Sequence, residues 1–121
     1  GAPGVEERLS ILYGEGVAKN RMTLEQFVKV TAENPAKIYG LFPRKGTILP
    51  GSDADLVLLD PKKNNLITIA NRHSAVDYTP YEGFSLEGSI ESVFLRGKMI
   101  VKHNDFIGNK GQGRFLCRKQ Q

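Results

Sequence analysis

His73 and His103 are the side chains best suited to bind a metal or move a proton, and neither has a cysteine or a second histidine at ligand spacing. A zinc site needs three or four converging ligands, so no metal-binding residue is assigned within this chain. Asp53 and Asp55 stand two apart beside Pro50-Gly51-Ser52. Acid–base work is open to such a pair, but carboxylates at that position suit turn hydrogen bonding and strand entry better. The stretch from His73 to Gly83 is the richest in functional groups, and Ser74 with His73 and Asp77 can be written as a nucleophile, base and orienter. Adjacent Ser and His make no triad unless the fold builds one, and no oxyanion element is visible. An ordered loop anchored by Tyr78 and Tyr81 is the preferred reading. Gly108-Asn109-Lys110-Gly111-Gln112-Gly113 lacks the spacing and the following helix of a phosphate loop. Cys117 has Arg114 and Arg118 nearby but no base partner, which makes it an incidental exposed thiol. No catalytic residue is assigned.

The elements that carry these groups change character along the chain. Val5, Leu9, Leu12 and Val17 recur near the helical period after Pro3, and Glu6 and Glu7 favour the positive end of a helix dipole. A helix from Val5 to Ala18 is expected. Thr23 can cap a second helix with Gln26 reaching back, and Leu24, Phe27, Val28 and Thr31 give it a buried stripe ending near Glu33. Asn34-Pro35 signals a fresh start, a short third helix from Pro35 to Tyr39, stopped by Gly40 in the left-handed conformation. Beyond Pro43 the texture is turns and short β-type runs. Pro50-Gly51 fits a type II turn, and Leu56 to Leu59 a strand covered on both faces. Leu66 to Ala70 reads as the next strand, and Ser92 to Leu95 with Lys98 to Lys102 as a hairpin about Arg96-Gly97. No internal repeat is present.

The 121 residues suit one core, and 40% hydrophobic with 25% charged residues describes a globular chain. The net charge of +4 is scattered rather than gathered, the densest spot being Arg114 with Arg118 and Lys119, so no nucleic-acid partner is expected. No apolar run is long enough for a membrane span, and Gly1 to Gly4 lack the features of a signal peptide. One cysteine allows no internal disulfide and points to a reducing, cytoplasmic setting.

Gly1-Ala2-Pro3-Gly4-Val5-Glu6-Glu7-Arg8 and the run from Asn34 to Ile48 resemble the closing segments of dihydropyrimidinases and D-hydantoinases. Pro50-Gly51-Ser52-Asp53-Ala54-Asp55-Leu56-Val57 is similar to the strand entry of the small β-domain in the amidohydrolase superfamily. Asp77 to Gly83, Arg96-Gly97-Lys98 and Gly111 to Leu116 narrow the likeness to the dihydropyrimidinase branch, and it runs in order from Gly1 to Leu116. Cys117 and His73-Ser74 depart from it, standing where many relatives have proline and a His-His pair.

The resemblance implies an α+β fragment, two to three helices from the end of a (β/α)8 barrel followed by strands of a C-terminal β-sandwich domain. Residues 1–43 would be the terminal barrel helices, 44–107 the sandwich strands with a connecting loop, and 108–121 a Gly-rich tail. It implies a parent in which two zinc ions, bridged by a carboxylated lysine, generate the hydroxide that opens a cyclic amide. All those ligands would precede Gly1, and Gly1 to Gly4 would be at most the edge of the substrate loop. The implied partners are the rest of the barrel, a small cyclic amide and further copies in a homotetramer. A non-catalytic assembly module of the collapsin response mediator type shares the architecture and is the alternative.

Overall fold

The computed structural model describes residues 1–118; Lys119 of the basic spot and the last two residues of the expected tail lie outside them. The chain is α+β, a helical layer over a four-stranded antiparallel sheet.

The first helix starts later than the Val5 expectation. Residues 5–7 form a turn, α1 spans Arg8–Ile11, and a π-helical stretch, Leu12–Val17, continues it. The wider spacing is visible in the bonds Ala18 N to Tyr13 O (3.0 Å) and Arg21 N to Gly16 O (2.8 Å). The second helix begins with the expected capping box: Gln26 N donates to Thr23 Oγ1 at 3.2 Å and Thr23 N to Gln26 Oε1 at 2.8 Å.

The expected break at Asn34-Pro35 does not occur. α2 (Leu24–Val28), a π-helical stretch (Lys29–Glu33) and α3 (Asn34–Ile38) form one unbroken run, with Asn34 itself helical at φ −63°, ψ −46°. A proline inside a helix has no N–H and its ring crowds the carbonyl four residues back, here that of Thr31. The π-helical stretch just upstream widens the coil at that point. Thr31 Oγ1 also takes up the carbonyl of Phe27 at 2.7 Å, a back-bond of the kind that bends helices. Gly40 then stops the run at φ 66°, as expected.

The sheet order is β1 (Leu56–Leu66), β2 (Ser85–Leu95), β3 (Lys98–Lys102), β4 (Asp105–Phe106). The turn before it has the bond from Ser52 N to Leu49 O at 3.0 Å. Arg96 (φ 48°) and Gly97 (φ 79°) make the expected two-residue hairpin, and His103 (φ 49°) with Asn104 (φ 68°) makes a second one. Strand β1 is longer than the Leu56–Leu59 run because irregular register between Asp60 and Asn64 absorbs Pro61.

Leu66 to Ala70 is not a strand. The ladder ends at Leu66, Ile67 turns fully inward, and Ile69–Asn71 is a 3-10 turn in which Thr68 N donates to Asn71 Oδ1 at 3.2 Å. Such local side-chain bonds compete with strand pairing. Coverage on both faces of Leu56 to Leu59 is not provided by this chain either, since Val57 and Leu58 remain 45% and 49% exposed.

The core sits where the helices cross β2. Tyr13 meets Phe27 edge to face at 5.7 Å, and its ring lies so close over Gly88 that a Cβ there would fall 2.4 Å from Cδ1. Gly88 is also at φ +89°, so both space and backbone demand glycine. Tyr13, Phe27, Ala36, Ile67 and Leu86 are the buried apolar residues, while Val5, Ile38, Ile48 and Phe115 stay at least three-quarters exposed. The accessible surface of 8582 Å² is about a third more than a compact monomer of this mass presents.

Candidate functional site

The polar groups gather around an open cleft of about 860 Å³ between the chain's first turn and the sheet. Both histidines line it, each held by a carboxylate that nothing in the sequence marked as its partner. Glu6 Oε1 lies 2.8 Å from His73 Nδ1, and Glu6 Oε2 accepts the backbone N–H of His73 at 2.9 Å. Arg72 adds its Nη1 at 3.9 Å from the same carboxylate, with its side chain almost fully buried. Across the cleft, Glu91 on β2 meets His103 Nδ1 at 2.8 Å and Lys63 Nζ at 2.9 Å. The hydrogen bond from Lys63 holds the Glu91 carboxyl below the usual glutamate range, helped by the charges of Lys63 and His103, and the same bond holds Lys63 above the usual lysine range.

These are two ion-pair clusters with their partners satisfied. Ser74 shares the cleft, but no hydrogen bond joins it to His73 among the described residues, and His73 Nδ1 meets Glu6 rather than Asp77. No group of three or more His, Cys, Asp or Glu is arranged to hold a metal ion among the described residues, and zinc does not fit the donors present.

Asp53 and Asp55 lie elsewhere and have the turn role. Asp53 Oδ2 receives Arg44 Nε at 3.0 Å and Lys45 Nζ at 2.9 Å, while Asp55 contacts Lys45 and its Oδ1 accepts the N–H of Arg96 at 2.8 Å. The bonds from Lys45 and then Arg44 hold Asp53 below the usual aspartate range. Together they pin the strand entry to the β2–β3 hairpin. Cys117 is exposed, and residues 107–118 contain neither helix nor strand.

Glu7 is the group that reading the sequence missed. It is 2% exposed, its Oε1 accepts the hydroxyl of Thr79 at 3.0 Å, and its Oε2 is buried without a hydrogen-bond partner among the described residues. Placed as a helix-start acid it looks like one more surface carboxylate; only the fold brings Thr79 to it.

The family model of the amidohydrolase family matches residues 4–100. A D-hydantoinase of Ralstonia pickettii is 48% identical over 120 residues, covering 99% of this chain and 26% of that protein. One of Geobacillus stearothermophilus is 47% identical over 118 residues, covering 98% and 25%. Among solved structures, one of a D-hydantoinase superposes with a TM-score of 0.95 at 48% identity, covering 99% of this chain and 26% of that one. The L-hydantoinase (dihydropyrimidinase) of Arthrobacter aurescens gives 0.93 at 35% identity, covering 98% and 26%. The chain thus spans about a quarter of the length of the relatives it matches. The likeness extends through all the elements described above, sheet and helices alike, and the chain belongs to the amidohydrolase family.

Proposed function

We propose that this chain is the C-terminal quarter of a cytoplasmic, zinc-dependent cyclic amidohydrolase that opens the ring amide of dihydropyrimidines or 5-substituted hydantoins. Its own part in that protein is structural and oligomerising. The observation that carries the reading is one of proportion: the match takes in 99% of this chain, but only 26% of a D-hydantoinase of known structure. The two zinc ions and the carboxylated lysine would be held by residues outside this chain. Residues 1–43 would close the (β/α)8 barrel, 44–107 would supply strands of the β-sandwich, and Gly1 would stand at the edge of the substrate loop.

Exposed apolar groups on the helices and on β1, and the unusually large accessible surface, support a segment made to pack against more protein. Phe115 at 92% exposed supports a docking tail, in the proposed tetramer one that reaches a neighbouring subunit.

The test is a hybrid in which this chain replaces the matching quarter of the Ralstonia pickettii D-hydantoinase. The hybrid should open hydantoin or dihydrouracil, followed by loss of far-ultraviolet absorbance, while the purified 121-residue chain should do neither that nor bind stoichiometric zinc. A folded but inactive hybrid, or turnover by the metal-free chain alone, overturns the reading. Removing residues 108–121 from the hybrid should lower its oligomeric state in light scattering; an unchanged oligomer refutes the tail's role.

A further inference from the structure

The segment between β1 and β2 is a long loop whose ends are tied together. Ile67 N donates to Phe84 O and Gly83 N to Ile67 O, both at 2.9 Å, and Ile67 itself is fully buried. Inside the loop, Ile69 N donates to Glu82 Oε2 at 2.7 Å, Tyr81 N to Thr79 Oγ1 at 3.3 Å, and Tyr81 packs edge to face on Phe84 at 5.7 Å. A loop of this length that is closed at its base and braced within is a compact Ω-type unit, the kind that usually has a task of its own.

Three of its outward contacts go to one place, while on the sheet side Asn71 O accepts Asn104 Nδ2 at 2.9 Å and Arg72 Nη2 reaches Asn65 Oδ1 at 3.5 Å. Tyr81 lies against Gly4, where a Cβ would meet its ring at 3.1 Å; His73 grips Glu6 through ring and backbone; and Thr79 holds the buried Glu7. Glu7 in turn passes the restraint to the first helical turn through its carbonyl, which accepts Ile11 N at 2.9 Å. Ahead of Gly4 nothing lies within 4 Å of a Cβ built on Gly1.

We infer that the loop from Ile67 to Phe84 is a strap that sets the position and direction of residues 4–7, with Thr79 and Tyr81 as positioning residues for the reaction. The reaction link rests on the reading above, in which the chain entering at Gly1 leads from the substrate loop. Glu7 is the fixed point: a carboxylate with one oxygen bonded only to Thr79 and the other unpartnered cannot shift without losing its remaining bond. Small displacements of a substrate-bearing segment cost rate more than affinity for the fold.

The experiment compares Thr79→Val and Tyr81→Leu with Thr79→Ser and Tyr81→Phe in the Ralstonia hybrid. Rates are taken per folded molecule, well below the melting transition, with His103→Ala as the control on the far side of the cleft. The first two should lose about tenfold in kcat/KM, less than the roughly 10²-fold that a 1 Å misplacement can cost, with the serine and phenylalanine versions near the unsubstituted rate. Amide hydrogen exchange at residues 5–8 should rise at least several-fold in Thr79→Val and stay unchanged in His103→Ala. Unchanged exchange there, or activity that falls only with the folded fraction, overturns the strap. An unsubstituted hybrid that folds without turnover counts against the hydantoinase reading instead, and the exchange measurement still decides the strap.

Discussion

The two carboxylate–histidine pairs have the same 2.8 Å contact and opposite consequences. Glu91 lies on β2 and His103 in the turn that follows its neighbour β3, and His103 N already donates to Glu91 O at 2.8 Å, so the sheet places them before any charge is counted. Glu6 and His73 are brought together from the chain's first turn and the β1–β2 loop, joined by two bonds to one carboxylate and neighboured by the Glu7–Thr79 bond. A contact between groups that backbone pairing already juxtaposes adds little, because the ordering has been done by the ladder. One between segments that no backbone pairing joins must share in that ordering itself. The first pair therefore decorates a hairpin, and the second closes the tertiary structure.

Thr79→Val, beside the long-range pair, gives the largest effect by this argument. The hydroxyl is buried and bonded to a buried carboxyl group, so its loss leaves a buried oxygen without a donor and should cost about 2 kcal/mol in denaturant unfolding of the hybrid. A cost near zero would mean that Glu7 finds another donor and that the segment is not held as described.

Glu6→Ala comes next. It removes an acceptor of two hydrogen bonds on a side chain that is 25% exposed, and about 1 kcal/mol is expected after allowance for solvent. Losing Glu6 should also speed proteolysis near residues 1–7, whereas losing Glu91 should not. If the two variants melt and are cut alike, the contrast between the pairs fails.

How far the sequence revealed all this follows the same division between local and distant. The Thr23–Gln26 capping box, the turn at Pro50-Gly51 and the hairpin at Arg96-Gly97 are set by residues within three positions of one another, and each forms as expected. The break at Asn34-Pro35 was misread because a local rule, proline as a helix starter, lost to a π-helical adjustment upstream. The strand at Leu66 to Ala70 was misread because the Thr68–Asn71 bonds are equally local but of a kind that apolar patterning does not register. The carboxylate partners of the histidines and the burial of Glu7 had no signal at all, since Thr79 and His73 reach the first turn only through the tertiary fold. Family likeness in the motifs from Gly1 to Leu116 supplied what spacing could not, and the match of residues 4–100 agrees with it.

The smallest effect expected is at Glu91, and its pH dependence separates the pairs most cleanly. The bond from Lys63 lowers the Glu91 carboxyl in the folded chain, so any stability it adds is fully present above the glutamate's unfolded value and is lost as pH falls through the lower folded value. Lys63 is raised by the same bond, so its share is present below the ordinary lysine value and is lost as pH rises through the higher folded one. Between those limits, across neutral pH, the cluster should contribute a flat and small amount, because Lys63 is half exposed and water screens the pair. Glu91→Gln should accordingly melt close to the unsubstituted protein at pH 7, and the remaining gap should close in about 1 M salt, where screening reaches only a few ångströms. Melting curves of both proteins, recorded from acid to neutral pH at low and high salt, test this. A gap that persists in high salt, or that widens as pH falls, would show that Glu91 holds the hairpin by more than exposed charge and would erase its difference from Glu6.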